Sequence, residues 1–317
     1  MTITPATTRI FVAGHRGLVG GAVCRLLTAR GFNQVITRTR DELDLRDATA
    51  VGRFFGEARP EVVILAAAKV GGILANSTQP ADFIADNIAI ASAVIPQAHA
   101  HGVRKLLNLG SSCIYPRLAP QPIREESLLT GPLEETNRAY AIAKIAAIEL
   151  CDSFRKQHGA DFISAMPTNL YGPGDNFHPQ HSHVLPALMR RFHEAARDGR
   201  ASVELWGTGA PLREFLHVDD LADACLFLLD RFSAAGPINV GTGRDLSIRE
   251  LATMIAQVVG YHGALEWDAS KPDGTPRKLL DVSRLTALGW TAPTGLRDGI
   301  ASTYAWFCEH VADARGM

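Results

Sequence analysis

A tyrosine and a lysine four positions apart could together carry acid–base chemistry in this sequence. Tyr140 and Lys144 fall in the interval 139–157, whose apolar spacing predicts a helix, so both side chains would lie on one helical face. An ammonium beside a phenol lowers the phenol's pKa from its usual value of about 10. Such a phenol could protonate a carbonyl oxygen during hydride delivery, and the lysine could also hydrogen-bond a cofactor ribose. The spacing alone is common by chance, so its weight depends on the rest of the chain.

Three regularly spaced glycines form a second pattern that could bind a ligand. Gly14, Gly17 and Gly20 follow the apolar run at 10–13 and open a segment with helical spacing. In this strand–turn–helix context, Gly14 allows the tight turn, Gly17 lets the backbone approach a pyrophosphate, and Gly20 lets the helix pack on the strand. The N–H groups at the helix N-terminus would face the phosphates. An ordinary glycine-rich turn is the alternative, but the context favours a dinucleotide site.

The arginines near this turn bear on which dinucleotide binds. An acidic residue at the end of the second strand would bind the ribose 2′-OH of NAD, but the sequence reads TRTRD over residues 37–41. Arg40 stands twenty residues after Gly20, and Arg16 lies inside the glycine turn. Two guanidinium groups suit the 2′-phosphate of NADP, since arginine binds phosphate in a bidentate manner. Arg38 and Arg40 could instead be solvated charges, and Asp41 keeps NAD open, but the sequence favours NADP.

A serine and a cysteine follow the predicted fourth strand, 105–109. Ser111 is placed to be a second hydrogen-bond donor to a substrate carbonyl. Cys113 stands two residues later, so at a strand end both side chains would point to the same side. A cysteine, with a reference pKa of about 8.5, can be a base next to a carbonyl. A free cysteine is more often a small buried hydrophobe, which is what the residues alone favour here.

Three histidines, His178, His181 and His183, lie in the segment 167–186 together with four prolines. This composition predicts an irregular, functional loop. A histidine that titrates near neutrality can be the acid in a proton transfer, and the residues alone make the three equal candidates. The loop contains no cysteine and no fixed helical spacing, so we expect no metal site.

These candidate residues need a scaffold in which strand ends meet. The first half of the chain alternates apolar runs with helical patterns, which is typical of a parallel sheet covered by helices on both sides. The predicted strands are 10–13, 34–37, 62–66, 105–109, 162–166, 203–206 and 238–240, and the predicted helices are 48–58, 80–100, 139–157, 218–232 and 248–259. We predict an α/β fold: a Rossmann-type doubly wound parallel sheet with a smaller C-terminal α/β lobe. Residues 1–170 would bind NADP, and 171–317 would mainly bind substrate, with some segments returning to the Rossmann domain.

Composition and charge exclude several other classes of protein. The 317 residues are 46% hydrophobic and 21% charged with a net charge of −1, which rules out a disordered or coiled-coil chain and gives no basis for nucleic-acid or anionic-membrane binding. The five cysteines include no C-x-x-C pair, and the N-terminus has no apolar leader region. We therefore expect reduced thiols, no membrane segment and a cytoplasmic location.

Taken together, these motifs resemble the extended short-chain dehydrogenase/reductase family. The resemblance runs from about residue 9 to residue 307 and includes REFLHVDD at 213–220 and NVGTG at 239–243. In that family, the arginine that matches Arg213 lies near the diphosphate of a sugar nucleotide. Members mostly act on nucleotide-diphosphate sugars and usually dimerise through a four-helix interface, which here would include the Tyr140 helix. The resemblance therefore implies a sugar-nucleotide substrate and a homodimer.

Four further segments narrow the resemblance to the GDP-L-fucose synthase branch of that family. They are GSSCIYP at 110–116, MPTNLYGP at 166–173, DNFHP at 175–179 and KPDGTPRK at 271–278. The resemblance implies NADPH-dependent 3,5-epimerisation and 4-reduction of GDP-4-keto-6-deoxy-D-mannose to GDP-L-fucose. Sugar-nucleotide dehydratases carry an Asp-Glu pair where Ser112 and Cys113 stand, which argues against dehydration. Another nucleotide-sugar epimerase or reductase is one alternative, and a non-catalytic dinucleotide sensor is the other.

The resemblance also implies a role for each candidate residue. Cys113 would remove a proton beside the ketone, His183 would return one to the other face, and Tyr140 would protonate the C4 oxygen. The implied catalytic residues are Ser111, Cys113, Tyr140, Lys144 and His183. The implied cofactor-binding residues are Gly14, Arg16, Gly17, Leu18, Val19, Gly20, Arg40, Asp41, Leu45, Leu109, Gly110, Ser111, Lys144, Pro167, Thr168, Asn169, Leu170 and His183. The implied substrate-binding residues are Arg191, Trp206, Arg213 and Asp273, for which a core tryptophan and surface charges are the alternative.

Overall fold

The computed structural model describes residues 3–179, 181–271 and 273–311, excepting the side chains of residues 73 and 74. The strands are β1 (Ile10–Ala13), β2 (Val35–Ile36), β3 (Val62–Leu65), β4 (Lys105–Leu109), β5 (Phe162–Pro167), β6 (Asn169–Tyr171), β7 (Ser202–Trp206), β8 (Leu212–His217), β9 (Pro237–Val240), β10 (Asp245–Ser247), β11 (Ala264–Asp268) and β12 (Arg277–Lys278). The helices are α1 (Leu18–Ala29), α2 (Ala48–Ala58), α3 (Ile73–Thr78), α4 (Pro80–Ala100), α5 (Arg138–His158), α6 (Val184–Arg197), α7 (Val218–Arg231), α8 (Ile248–Val259), α9 (Ser283–Ala287) and α10 (Leu296–Glu309). Short 3₁₀ turns occupy Ser112–Ile114, Glu125–Ser127 and Glu135–Asn137.

A six-stranded parallel sheet in the order β2-β1-β3-β4-β5-β9 forms the larger layer. β1, β3, β4 and β5 are buried along their whole length, as expected of strands that are apolar on both faces. Helices α1 and α7 cover one face of the sheet, and α2, α4 and α5 cover the other, each with its own buried apolar cluster. The predicted Rossmann-type fold is confirmed.

The register of this sheet brings the carboxyl ends of its strands to one edge. Val12 pairs with Ile64, Ile64 pairs with Leu107, and Leu107 pairs with Ile163. The glycine turn after β1 and the segments that follow β4 and β5 therefore leave the sheet at the same edge. Doubly wound sheets bind ligands in the crevice outside these carboxyl ends.

A second layer is built from the short strands that follow β5. Strand β8 pairs with β6, β10 and β12, and β7 pairs with β11. A separate buried cluster, which includes Phe192, Leu251 and Phe307, holds α6, α8 and α10 together. In contrast, α7 packs on the six-stranded sheet, and β9 is its edge strand beside β5. The predicted division of binding between residues 1–170 and 171–317, whose second part includes residues outside the described ranges, stays a prediction.

Several helix ends follow from residues that cap them. Asp47 accepts hydrogen bonds from two N–H groups at the start of α2, and Ser247 and Glu250 form a capping box at α8. Gly159, with a φ of 68°, ends α5. Among the residues described, none of the helices combines the length and the apolar character that crossing a membrane requires.

The segment 167–186 is more regular than its composition predicted. Strand β6 lies inside it, and α6 begins at Val184 with His183 as its N-cap. Leu185, Leu188 and Phe192 are buried at helical spacing, so a signal for α6 was present. Proline in the first turn of a helix is tolerated, and Pro186 therefore does not interrupt α6. Strand β2 is also shorter than the predicted interval 34–37.

Candidate active site

The glycine turn after β1 is shaped by close backbone contacts. Gly14 has a φ of 89°, and a Cβ there would lie 2.7 Å from a backbone nitrogen just beyond β3. A side chain at Gly20 would overlap the Gly14 carbonyl. Gly17 is the N-cap of α1, and in the part of the chain described no side chain caps that helix. The N–H groups that begin with Leu18 and Val19 are therefore open to an anionic ligand.

Arginines from two segments meet beside β2. The Arg38 guanidinium stacks 5.2 Å from the centre of the Phe54 ring. Hydrogen bonds from Thr39, and then the charges of Arg38 and Arg16, lower the pKa of Glu42. Since the charge of Arg16 affects the pKa of Glu42, we infer that Arg16 in the glycine turn lies near the segment that follows β2. The two segments predicted to bind the 2′-phosphate are thus neighbours.

Arg40 and Asp41 lie on the surface just after this point. Among the residues described, Arg40 makes no hydrogen bond or ion pair. Its charge adds to the hydrogen bonds from Arg46 that lower the pKa of Asp44 to about 2. An unpaired guanidinium at this position suits a phosphate group. Leu45 is partly buried against the cluster under α2.

Tyr140 and Lys144 lie on one face of α5, next to the end of β4. The Lys144 ammonium donates a 2.8 Å hydrogen bond to the Leu109 carbonyl and lies 5.8 Å from the centre of the Tyr140 ring. Burial lowers the pKa of Lys144 to about 8. Burial, and then Cys113, raise the pKa of Tyr140, while a hydrogen bond with Ser111 lowers it. The predicted lowering of the phenol's pKa by Lys144 is therefore wrong for this structure, because burial dominates and the ammonium sits over the ring.

Ser111 and Cys113 lie in a 3₁₀ turn rather than on a strand. Ser111 is the N-cap of the turn, and its Oγ accepts a 3.4 Å hydrogen bond from the Cys113 N–H. The strand-alternation argument for these two residues is therefore wrong, although the turn does keep them adjacent. The Cys113 side chain is buried, and burial raises its pKa, while Lys278, Ser111 and Lys144 act to lower it. Gly110 precedes the turn and packs so closely on Met166 that a Cβ would overlap it.

His183 is the N-cap residue of α6, makes no side-chain capping hydrogen bond and is exposed. Desolvation by the surrounding protein, and then the charge of Lys278, lower the pKa of His183. The other two histidines of this segment, His178 and His181, stack on each other with ring centres 4.5 Å apart. Within the described residues, no group of three or more His, Cys, Asp or Glu side chains could hold a metal ion. The charge of Lys278 lowers the pKa of His183 and also acts to lower that of Cys113.

The residues after β5 are anchored through β8. Asn169 donates a 2.8 Å hydrogen bond to the Glu214 carbonyl, and the Thr168 hydroxyl lies 3.4 Å from the same oxygen. Pro167 ends β5, and Leu170 packs at the edge of the buried cluster under α1 and α7. These four residues therefore leave the sheet at the same carboxyl edge as the glycine turn, as expected of residues that contact a dinucleotide.

Three of the four predicted substrate residues meet around Trp206. Trp206 ends β7 and is 67% exposed, so it is not a core tryptophan. The Arg191 guanidinium donates a 2.8 Å hydrogen bond to a β7 carbonyl two residues earlier. The Asp273 carboxylate accepts hydrogen bonds from the N–H and the hydroxyl of Thr208, both at 2.7 Å. Asp273 therefore holds the loop that follows Trp206.

Arg213, the fourth predicted substrate residue, lies in β8 beside a lysine that sequence analysis gave no role. Lys278 of β12 is its register partner in a parallel pair, so the two cations stand next to each other. Burial lowers the pKa of Arg213. Lys278 lies in the segment 271–278, of which residue 272 is outside the described residues. Only the strand register reveals that Lys278 faces Arg213.

Cavity size does not identify the site. A cavity of about 220 Å³ opens at the glycine turn and is lined by Arg16, Gly17 and Leu18, with Pro173 and Trp306 opposite. A larger hollow of about 740 Å³ lies between the N-terminal segment and α7, and none of the predicted site residues lines it. We therefore locate the candidate active site from the chemistry of the side chains at the strand ends.

Comparison with known proteins agrees with this arrangement. Residues 10–241 match the family model described as the NAD dependent epimerase/dehydratase family. The chain belongs to that family. GDP-L-fucose synthase 1 of Arabidopsis thaliana is 59% identical over 312 residues, which are 98% of this chain and 97% of that protein. GDP-L-fucose synthase of Escherichia coli (strain K12) is 57% identical over 317 residues, which are 97% of this chain and 99% of that protein.

A solved structure shows the same likeness in three dimensions. The GDP-L-fucose synthetase from Naegleria fowleri bound to NADP is 30% identical, with a TM-score of 0.92 that covers 99% of this chain and 98% of that one. The interpretation of the sequence as an extended short-chain dehydrogenase/reductase is confirmed.

Proposed function

We propose that this protein is an NADPH-dependent enzyme that epimerises C3 and C5 of GDP-4-keto-6-deoxy-D-mannose and reduces C4 to give GDP-L-fucose. One observation carries the proposal. At the carboxyl end of β4, Tyr140 and Lys144 on α5 lie with Cys113, whose charge acts on both, and Lys278 acts on the pKa of Cys113 and of His183. A simple reductase needs the first pair only. The likeness to GDP-L-fucose synthases, at 57% and 59% identity over nearly the whole chain, supports the same conclusion.

The residues at the glycine turn fit NADP. The absence of side chains at Gly14 and Gly20 allows the tight turn and the close packing of α1 on it, Gly17 leaves the backbone free to approach a pyrophosphate, and the open N–H groups of α1 favour its negative charge. Arg16 and Arg40 supply guanidinium groups where the 2′-phosphate would lie. When bound, NADPH supplies the hydride for C4. Leu109, Lys144 and the segment 167–170 complete the surface for the cofactor.

The reduction requires a proton donor at the C4 oxygen. Because burial raises the pKa of Tyr140, the phenol stays protonated at neutral pH, which is the form that can donate. Ser111 and Tyr140 both present hydroxyl donors to the oxygen as negative charge develops on it. Lys144, anchored to the Leu109 carbonyl, holds α5 against the strand end and presents its ammonium to the cofactor ribose.

The epimerisations require proton removal from one face and proton return to the other. The C4 ketone acidifies the hydrogens on C3 and C5, and the resulting enolate is stabilised by the donors that later stabilise the alkoxide. Cys113 is the base and His183 is the acid. Arg213, Arg191 and Trp206 bind the diphosphate and the nucleobase, and Asp273 positions the Trp206 loop through Thr208.

The test is a reaction of the purified protein with NADPH and GDP-4-keto-6-deoxy-D-mannose in deuterated water. NMR should identify GDP-L-fucose with deuterium at C3 and C5. A 6-deoxyhexose without inversion at these carbons would indicate a reductase, and inversion at a single carbon would indicate a different epimerase–reductase. A protein that binds NADPH but never oxidises it with this or another 4-keto sugar nucleotide would be a dinucleotide sensor.

A homodimer and a cytoplasmic location belong to the same proposal. Helices α4 and α5 pack together, and Ile88 and Ile142 on their outer faces are 39% and 37% exposed. A second copy that covers both helices would bury these side chains in a four-helix interface. All five cysteines are free thiols, which agrees with a reducing compartment. Light scattering of the wild type and of Ile88→Asp should show a dimer and a monomer, respectively.

A further inference from the structure

The β3 loop, residues 66–72, leaves the carboxyl end of β3 among the candidate site residues. It begins against the glycine turn, where a Cβ at Gly14 would lie 2.7 Å from the Ala67 backbone nitrogen. In its middle, the buried amide of Asn87 on α4 pairs with the Lys69 backbone, because it accepts from the N–H and donates to the carbonyl, both at 3.0 Å. The first part of the loop is therefore fixed by the glycine turn and by α4.

Two adjacent glycines end the β3 loop, and the side chain of Asn76 on α3 holds both. Its Nδ2 group donates to the Gly71 carbonyl at 2.8 Å and to the Gly72 carbonyl at 3.1 Å. Asn76 is 7% exposed, and within the described residues its Oδ1 has no hydrogen-bond partner. The donor end of this buried amide therefore fixes the path of the loop where it enters α3.

On one side, the end of the loop packs on the aromatic ring beside Tyr140. A Cβ at Gly71 would lie 3.1 Å from Cζ of Phe83. The Phe83 side chain is buried, and its ring meets the Tyr140 ring edge-on, with the two ring centres 6.3 Å apart. A single side chain thus separates Gly71 from the phenol that would protonate the C4 oxygen.

On the other side, Gly72 packs on the backbone that leads into His183. A Cβ at Gly72 would lie 3.3 Å from the Ser182 carbonyl oxygen and 3.6 Å from the His181 carbonyl oxygen. Gly72 has a φ of −67° and a ψ of −179°, a conformation that any residue can adopt. The backbone of the loop therefore does not itself require glycine at this position. The close approach of the segment before His183 is what leaves little room for a side chain.

We propose that Gly72 and Asn76 are positioning residues that hold His183 at the distance from Tyr140 that inversion at C3 and C5 requires. The inference rests on the proposed function, in which His183 returns a proton to the second face of the sugar. Two glycines make the β3 loop a spacer of backbone alone between the aromatic ring beside Tyr140 and the segment before His183, and Asn76 fixes that spacer in place. A misplacement of about 1 Å can cost about 10²-fold in rate, so this spacing affects the return of the proton.

Two rates measured on the full-length protein test this role, because their ratio does not depend on the fraction of a variant that is folded. The first is the appearance of the C3- and C5-inverted, deuterium-labelled sugar from GDP-4-keto-6-deoxy-D-mannose in deuterated water, with NADP⁺ in place of NADPH, followed by NMR. The second is the oxidation of GDP-L-fucose by NADP⁺, which needs hydride transfer alone. Gly72→Ala should lower the ratio of the first rate to the second by at least about threefold, and Gly72→Val by about tenfold or more, since a larger side chain displaces the neighbouring segment further. A wild-type ratio in both variants overturns the proposal.

Substitutions in and around the same loop supply matched controls. Gly71→Ala adds a methyl group that meets the aromatic ring instead, and it should slow the oxidation of GDP-L-fucose without lowering the ratio. Asn76→Asp keeps the size of the side chain but replaces the donor with a carboxylate oxygen, so it should lower the ratio as Gly72→Val does. Asn87→Asp makes the same exchange at the middle of the loop and should not lower the ratio. Equal losses of the ratio in the controls would show that the loop has no specific effect on His183 and would overturn the proposal.

The surroundings of His183 can also be measured without substrate. In protein that contains isotopically labelled histidine, the imidazole signal of His183 is identified by its loss in His183→Asn. This signal should move in Gly72→Ala and stay in place in Gly71→Ala. An unmoved signal in Gly72→Ala and in Gly72→Val overturns the positioning role. A wild type that makes no GDP-L-fucose would refute the proposed function, and the imidazole signal would still report whether Gly72 acts on His183.

Discussion

The two halves of the candidate active site are held by different kinds of structure. In the hydride-transfer half, Tyr140 and Lys144 share one helix, and a 2.8 Å hydrogen bond anchors Lys144 to the end of β4. In the epimerisation half, Cys113 lies in a 3₁₀ turn, His183 caps a helix, and Lys278 ends a two-residue strand. Spacing within one helix specifies the first half, whereas the second half exists only when distant segments pack together.

Burial has opposite consequences in the two halves. It raises the pKa of Tyr140, which keeps the phenol in the protonated form that a donor needs. It also raises the pKa of Cys113, which disfavours the thiolate that a base needs. The reductive half can therefore function through desolvation alone, but the epimerising half requires a compensating charge.

The largest effect should come from removing the proton donor of the reductive half. Tyr140→Phe should slow NADPH oxidation by about 10²–10⁴-fold, since a positioned general acid contributes about that much. Spectrophotometry of NADPH measures the loss. Deuterium exchange at C3 and C5 should persist, because Cys113 and His183 remain. A variant that reduces the substrate at the normal rate would remove Tyr140 from the mechanism.

The converse variant removes the base and leaves the reductive half intact. Cys113→Ser should lower deuterium incorporation at C3 and C5 by at least about 10²-fold, because a serine hydroxyl has a far higher pKa than a thiol and does not ionise to the basic form. Slow reduction of the ketone without epimerisation should then give a 6-deoxyhexose other than fucose, as NMR of the product would show. His183→Asn should impair epimerisation in the same way. Full deuterium at both carbons in Cys113→Ser would assign the base to another group.

A third variant tests whether Arg40, in the hydride-transfer half, determines the preference for NADPH over NADH. Arg40→Ala should weaken NADPH binding by about 10–100-fold, since a charge-assisted hydrogen bond contributes about 1.5–3 kcal/mol. NADH lacks the 2′-phosphate, so its affinity should hardly change. Calorimetric titration of both cofactors measures the difference. Arg38→Ala, which removes a guanidinium already stacked on Phe54, should have a smaller effect. Equal losses for both cofactors would show that Arg40 does not recognise the 2′-phosphate.

The smallest expected effect is a pH dependence of the hydride half. Burial lowers the pKa of Lys144 to about 8. Below this pH the side chain is an ammonium, and above it the charge is lost. Reduction should therefore fall by about tenfold between pH 7 and pH 9 when the enzyme is measured at saturating substrate. Lys144→Arg keeps its charge over this range and should lose the alkaline limb. An unchanged limb in that variant would assign it to a different group.

Much of the scaffold was predictable because its signals are local. The bounds predicted for α2, α4 and α8 agree with those observed, since apolar spacing, Asp47 and the Ser247 capping box all act within a few residues. The sequence did not predict α6, the first helix of the second layer, because Pro186 lies in its first turn. The short strands β8 and β12 were not predicted either, because segments of six and two residues show too little periodicity to be recognised.

By itself, the sequence determined the chemistry that depends on spacing inside one element or one turn. Gly14, Gly17 and Gly20 need only a strand and a helix around them, and Tyr140 and Lys144 need only helical periodicity. Tertiary structure decided what depends on the approach of distant segments and on solvent exclusion. Strand register placed Lys278 beside Arg213, and backbone hydrogen bonds joined the segment after β12 to Ile123. Burial then set the direction in which each pKa moved, and no local pattern encodes burial of that kind.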